Sequence, residues 1–416
     1  MSAGNSTDRR LGWQSSPNAQ GTIDIIWGCM LTIFLCVWTV LTLNVPARDT
    51  TKWAFTRTKI KWATIALFGP EWLSGMAGAQ WSIARRAKKQ FRDEGIEWTM
   101  RQSFFADMGG VRVNLKDDEF PVTSKHIYVL FKLGLIKLDA INPAVIEDRS
   151  KADGVAKLFT IVQTAWFILQ CLARLIQHIS ITTLELSTIA FVVCTIGTNI
   201  MWWAKPKDVS VPVILKIDCT LESLLAMAGP QILDAKSEAV NWKWSPLEKF
   251  DDLRPNFLVD VGQYLPYTRS FKLSQASQKI RFRNDRFPPL ERDWALGHFL
   301  SVLSLSFGAV YVAGWNISFP TRVELIVWRI CTVMLFSLVV AFWAVDAGVE
   351  LHERKKKVAE NQKVAVTPVK MALYAVIAVV YVTIRIYILI EPFVCLRSLP
   401  AVAFKTVEWS SFIPHF

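Results

Sequence analysis

Glu71, Arg174, Glu185 and Asp208 sit inside or at the ends of apolar runs, where charged side chains are costly: Glu71 in LFGPEWL, Arg174 and Glu185 on either side of a short turn, and Asp208 just after the second run. A carboxyl in apolar surroundings keeps its proton near neutrality and can act as a general acid. Aromatic faces, which a chain with Trp 18 and Phe 25 has in number, stabilise a cation in a dry cavity. Together these properties suit proton-initiated cyclisation of an apolar polyene. They suit proton-coupled transport equally well, and in a membrane scaffold or sensor the same charges would serve packing alone.

Other chemistries find no footing. The chain has no P-loop, no GxGxxG after a strand, no HExxH and no Ser-His-Asp order. Its five histidines form no cluster and its seven cysteines form no CxxC, so neither a metal nor another cofactor is expected. The acidic run Asp117, Asp118, Glu119 fits neither the DDxxD nor the DxDD pattern of soluble terpene synthases and cyclases and reads as a solvated loop. Hydrophobic residues make up 52% of the 416, so the net charge of +12 is read as membrane topology, with no nucleic-acid partner.

The elements that must position these groups are helices. Residues 157–205 hold two apolar runs of about 20 residues each, the length of a membrane-crossing helix, joined by a turn short enough to set them antiparallel. Gln163, Trp166, Gln170, Arg174 and Gln177 recur at three- and four-residue steps along the first, as do Glu185, Thr188, Thr195, Asn199 and Trp202 along the second. Such stripes must face protein or a wet cavity. Gln163, Trp166, Gln170, Asn199 and Trp202 are therefore the candidate substrate-binding residues. Folding at the turn brings Arg174 level with Glu185, either as a structural ion pair or as part of a cavity wall.

The expected architecture is all-α and integral to a membrane: a bundle of about six transmembrane helices, a re-entrant or interfacial helix and two large cytosolic loops. In order these are a lumenal tail (1–21), a first span (22–43), a cytosolic and interfacial segment (44–156) with a re-entrant helix at 62–84, the hairpin (157–205), a cytosolic loop (206–293), three spans (294–391) and a tail (392–416). The polar start reads as no cleaved signal. Residues 62–84 carry Lys and Arg on both flanks and are broken by Gly69 and Pro70, so a crossing would put one basic cluster on the wrong side. Residues 125–153 read as an amphipathic interfacial helix, and the basic run 279–286 as a surface facing anionic headgroups. With the basic run at 352–357 inside the cell, the sequons at Asn5 and Asn316 fall on the lumenal side as glycosylation candidates.

Several stretches, NVPARD (44–49), LFGPEWLSGMAGAQWSIARRA (67–87), WTMRQSFFADMGG (98–110), IEDRSKAD (146–153) and the hairpin through WWAKPKDV (202–209), resemble a large family of fungal multi-pass membrane proteins. The resemblance is strong over about the first 215 residues and looser beyond. It extends to the macrophorin-type terpene cyclases of meroterpenoid pathways, which close a farnesyl tail on an epoxycyclohexenone into a drimane-like bicycle. What it implies is a cyclase of a small apolar prenylated substrate, working in an endomembrane such as the endoplasmic reticulum among lipid and other pathway enzymes. The shared stretches make Glu71, Asp148, Asp153, Gln163, Gln170, Arg174, Glu185, Lys205 and Asp208 candidates, with Glu71 or Glu185 as proton donor and Arg174 or Gln170 orienting it. A guanidinium beside a carboxylate holds it ionised, which weights the choice toward Glu71.

Overall fold

The computed structural model of the chain describes residues 10–16, 20–46, 50–116, 119–148, 153–209, 211–220, 223–224, 227, 294–356 and 368–409. Asn5, the basic run 279–286 and nearly all of the expected loop from 221 to 293 lie outside the described residues. The rest is mostly helical, as the apolar runs require: α1 (Thr22–Trp38), α2 (Lys52–Phe68), α3 (Pro70–Asp93), α4 (Met100–Phe105), α5 (Ser124–Lys132), α6 (Pro143–Asp148), α7 (Asp153–Ile176), α8 (Thr183–Trp202), α9 (Trp294–Ala313), α10 (Arg322–Lys356) and α11 (Pro368–Cys395). Among the described residues, five segments are long and apolar enough to cross a membrane: Lys157–Ile176, Thr183–Trp202, Ala295–Asn316, Arg322–Ala344 and Val376–Cys395. The sixth expected span is shorter, because α1 ends at Trp38 rather than near residue 43. In contrast, α11 runs through Pro392, where the sequence suggests a stop.

α8 is the central helix. It packs against α1, α3, α9 and α11, and 72% of its apolar window is buried against 33% for α7. The two arms of the hairpin are therefore not close neighbours along their length. They meet near the turn, where His178 takes a left-handed φ of 54°, and α7 leans instead on α1. Two polar contacts fix that pairing: Thr39 Oγ1 with Thr160 Oγ1 at 2.6 Å, and Gln163 Nε2 donating to Thr32 Oγ1 at 3.2 Å. A short connection fixes where two helices start; side-chain packing decides which neighbours they keep.

α2 and α3 form a helical hairpin that enters and leaves the bundle at one end. Lys59 of α2 pairs with Asp208, beyond the last residue of α8. The break at Gly69 and Pro70 lies beside Tyr381 of α11, and Ser74 Oγ reaches Thr198 Oγ1 at 2.8 Å and Cys194 O at 3.3 Å, level with the middle of α8. Gln80 Oε1 then accepts from Trp202 Nε1 at 3.0 Å, back at the C-terminal end of α8. Both basic flanks thus emerge on one face of the bundle, the arrangement that the charge pattern demands. The tip is built from a residue that breaks α2 and a proline suited to the first turn of α3.

Below that face sits a small mixed layer. β2 (Val111–Asn114) pairs antiparallel with β3 (Glu119–Pro121) and parallel with β4 (Val213–Lys216). With the end of α3 and with α4, α5 and α6, these strands enclose a core that includes Phe91, Trp98, Phe105, Phe120 and Ile127. α5 therefore corrects the interfacial-helix expectation: its apolar side chains Ile127 and Leu130 are buried in protein. A second strand pair, β1 (Arg10–Leu11) with β5 (Leu399–Pro400), ties the first described segment to the last.

Candidate functional site

The helix break at Gly69 leaves the last carbonyls of α2 without intrahelical donors, and α11 supplies replacements. Arg385 donates from Nε to Phe68 O at 2.7 Å and from Nη2 to Leu67 O at 3.1 Å. Its remaining nitrogen, Nη1, reaches Tyr311 Oη at 3.3 Å. The guanidinium is fully buried and lies over the rings of Phe307, Phe191 and Tyr311 at 4.9, 5.7 and 5.8 Å from their centroids. A cation at the negative end of a helix dipole, boxed by aromatic faces, is stabilised twice over.

One residue past the break, Glu71 opens α3. Its Oε1 meets the Tyr381 hydroxyl, and its Oε2 is buried with no hydrogen-bond partner. Tyr381 Oη also lies 3.3 Å from Phe68 O. A phenol has one hydrogen. When it points at Phe68 O, the contact with Oε1 needs a proton on the carboxyl, and when it points at Oε1 the carboxyl accepts. Among the described contacts no ion pair joins Glu71 to Arg385. The arrangement offers a carboxyl with one oxygen engaged and one bare, at mid-depth in a helix bundle, beside aromatic rings.

At the hairpin's mouth the chemistry is different. Lys205 is buried, donating to Thr42 O at 2.7 Å and Gln80 Oε1 at 2.9 Å, with its ammonium 4.6 Å from the Trp202 ring centroid. Burial without a carboxylate pushes this ammonium down to about 7. Asp208, held at a left-handed φ of 52°, accepts from Lys59 Nζ at 3.2 and 3.3 Å.

The sequence pattern of a family of unknown function matches residues 1–239 and 291–416. The chain belongs to that family, DUF8562. No curated protein and no solved structure matches it. In this DUF8562 chain the Glu71 cluster draws on both matched segments: Glu71 comes from the first, and Tyr311, Tyr381 and Arg385 from the second.

The other site residues read from the sequence of this DUF8562 member lie elsewhere. Arg174 and Glu185 do pair, at 3.4 Å from Nε to Oε1, and both are buried. Each is otherwise committed to structure. Arg174 donates to Ser180 O at 2.9 Å and Ala403 O at 2.7 Å, and it also bonds Gln20 Oε1. Glu185 Oε2 accepts from Thr182 N at 2.8 Å and Thr182 Oγ1 at 3.0 Å, a capping box that starts α8. The geometry is that of a structural pin. It explains the α7 stripe as well, which the segment after α11 covers: Trp166 stacks on Trp409 with centroids 5.4 Å apart, and Gln177 Nε2 donates to Glu408 O at 2.9 Å. Gln163 faces Thr32, and Gln170 and Asn199 are half-buried. Trp202 and Asp208 stand at the hairpin mouth, and Asp148 is exposed on α6. None of these is joined to Glu71.

Tyr381 and Arg385 stand four residues apart, on one face of an apolar helix, as the sequence alone shows. It does not show their connection to Glu71, since some three hundred residues separate them. The available signal was the rule that a buried charge needs a partner: an arginine in the last span and a carbonyl-exposing break at Gly69 each called for one.

Proposed function

We propose that the protein is an integral membrane terpene cyclase that acts on a prenylated quinone or epoxycyclohexenone. In this reading the spans cross an endomembrane, the farnesyl tail enters the bundle near the tip of the α2–α3 hairpin, and Glu71 protonates its terminal alkene. Ring closure passes the positive charge inward through two new carbon–carbon bonds. Loss of a proton from carbon to the Glu71 carboxylate, directly or through water, then yields a drimane-like bicycle of unchanged mass and restores the acid. Arg385 acts as a positioning residue, holding the carbonyls of Leu67 and Phe68 at the break beside Tyr381. The observation that carries the reading is the buried, unpartnered Oε2 of Glu71, since a proton donor needs an oxygen not already spent on the protein.

The test is turnover of a farnesylated quinol or epoxyquinone by microsomes containing the protein. Glu71→Gln keeps the shape and the contact with Tyr381 but removes the acid, and a loss of about 100-fold or more is expected; Glu185→Gln should instead lower the amount of folded protein. Full turnover by Glu71→Gln would sink the assignment. A broken helix with its tip at mid-depth is also the arrangement of many secondary transporters. Proton-coupled uptake into vesicles without any bicyclic product would favour that second reading.

A further inference from the structure

At the opposite end of α8 from the hairpin mouth, the connection between α9 and α10 walls a recess of about 410 Å³. Three arginines line it, Arg10 from β1 and Arg322 and Arg329 from the first turns of α10, and among the described residues no carboxylate does. Arg10 is placed by the β1–β5 pairing opposite Pro400 and donates to Ser398 O at 3.5 Å. Arg329 is held by two bonds to Trp315 O, at 3.1 and 3.0 Å, and by its stacking 4.7 Å from the Trp315 ring centroid, which leaves Nη1 uncommitted. Arg322 has no hydrogen-bond or ion-pair partner among the described residues. The nearby carboxylate, Glu324, is already engaged by Arg397 and by Thr321 N at 3.1 Å.

Three guanidiniums around one hollow repel each other unless an anion joins them. Guanidinium forks match the oxygens of phosphate, and the first turn of α10 adds the positive end of a helix dipole. We propose that this recess is a binding site for a phosphate group. It lies between the end of Ala295–Asn316 and the start of Arg322–Ala344, the level at which a phospholipid headgroup would stand if these helices cross a bilayer. A soluble phosphate offers the same chemistry. The inference does not depend on the cyclase reading.

The full chain in phosphatidylcholine nanodiscs would be titrated with inorganic phosphate and pyrophosphate by calorimetry. In parallel, nanodiscs doped with phosphatidic acid or phosphatidylserine would be exchanged into detergent and the retained lipid counted by native mass spectrometry. Saturable binding at one equivalent is expected in at least one arm: retention of anionic lipid alone identifies a headgroup, and binding of free phosphate alone a soluble ligand. Arg322→Gln should weaken it by about fivefold or more, the loss of one charge-assisted contact, and Arg10→Gln with Arg322→Gln should abolish it with an unchanged melting temperature. No binding in either arm, or binding indifferent to both arginines, overturns the proposal.

Discussion

Charged side chains inside this bundle divide into those that hold the structure and those with capacity to spare, and the division is made atom by atom. Arg174 spends its guanidinium on carbonyls and on Glu185, whereas Glu71 keeps one oxygen bare. Lys205 shows how a third environment should appear in solution. Its folded ammonium titrates at about 7 against 10.5 for an exposed lysine, so between those values the unfolded chain holds a proton that the folded one has released. Stability therefore rises as pH increases from about 7 toward 10.5, with a slope approaching about 1.4 kcal/mol per pH unit. Lys205→Met should flatten that slope, while costing about 1–3 kcal/mol at high pH because Thr42 O and Gln80 Oε1 lose their donor. Melting curves in detergent from pH 6.5 to 9 would decide it, and equal slopes in the two proteins would mean that Lys205 stays charged.

Among the elements, the helices were legible and the strands were not. Apolar runs at 157–205 and 294–391 give the five long helices directly, and Gly69 with Pro70 between basic flanks marks the break that separates α2 from α3, because composition along a single segment carries both. β2 and β4 escape such reading. VRV and VIL are too short to carry a period, and their parallel pairing joins residues about a hundred positions apart. The same limit hid the partners of the α7 stripe, which come from the segment after α11. Within the mixed layer, Gly110 is the tightest point: an added Cβ would lie 2.5 Å from the carbonyl oxygen of Phe105 and 2.6 Å from its ring. Phe105 is fully buried, so neither atom can retreat. Gly110→Ala should cost about 1–3 kcal/mol or more. Gly95→Ala meets no neighbour within 4 Å and is strained only by its φ of +74°, at about 1 kcal/mol. Size-exclusion profiles after a heat challenge would rank the two, and an equally stable Gly110→Ala protein would show that the layer can rearrange.

For the whole molecule, the decisive property is that α2 and α3 return to the face they left. A crossing helix would carry the basic residues near 57 and 89 to opposite sides of a bilayer. The hairpin keeps them together, with Lys59 at Asp208 and Gln80 at Lys205, and puts the α9–α10 connection on the far side. Single cysteines read this out once the two half-exposed natural ones, Cys219 and Cys331, are replaced by serine. In sealed microsomes, Arg57→Cys and Lys89→Cys should react alike with a membrane-impermeant maleimide, and Ser318→Cys should react only after permeabilisation. The consequence reaches the chemistry. If residues 57 and 89 label from opposite sides, the break at Gly69 is a kink in a crossing helix. Glu71 is then not at the tip of a hairpin open to one compartment, and the proton it gives up would have a route to either side, as transport requires and as a cyclase does not.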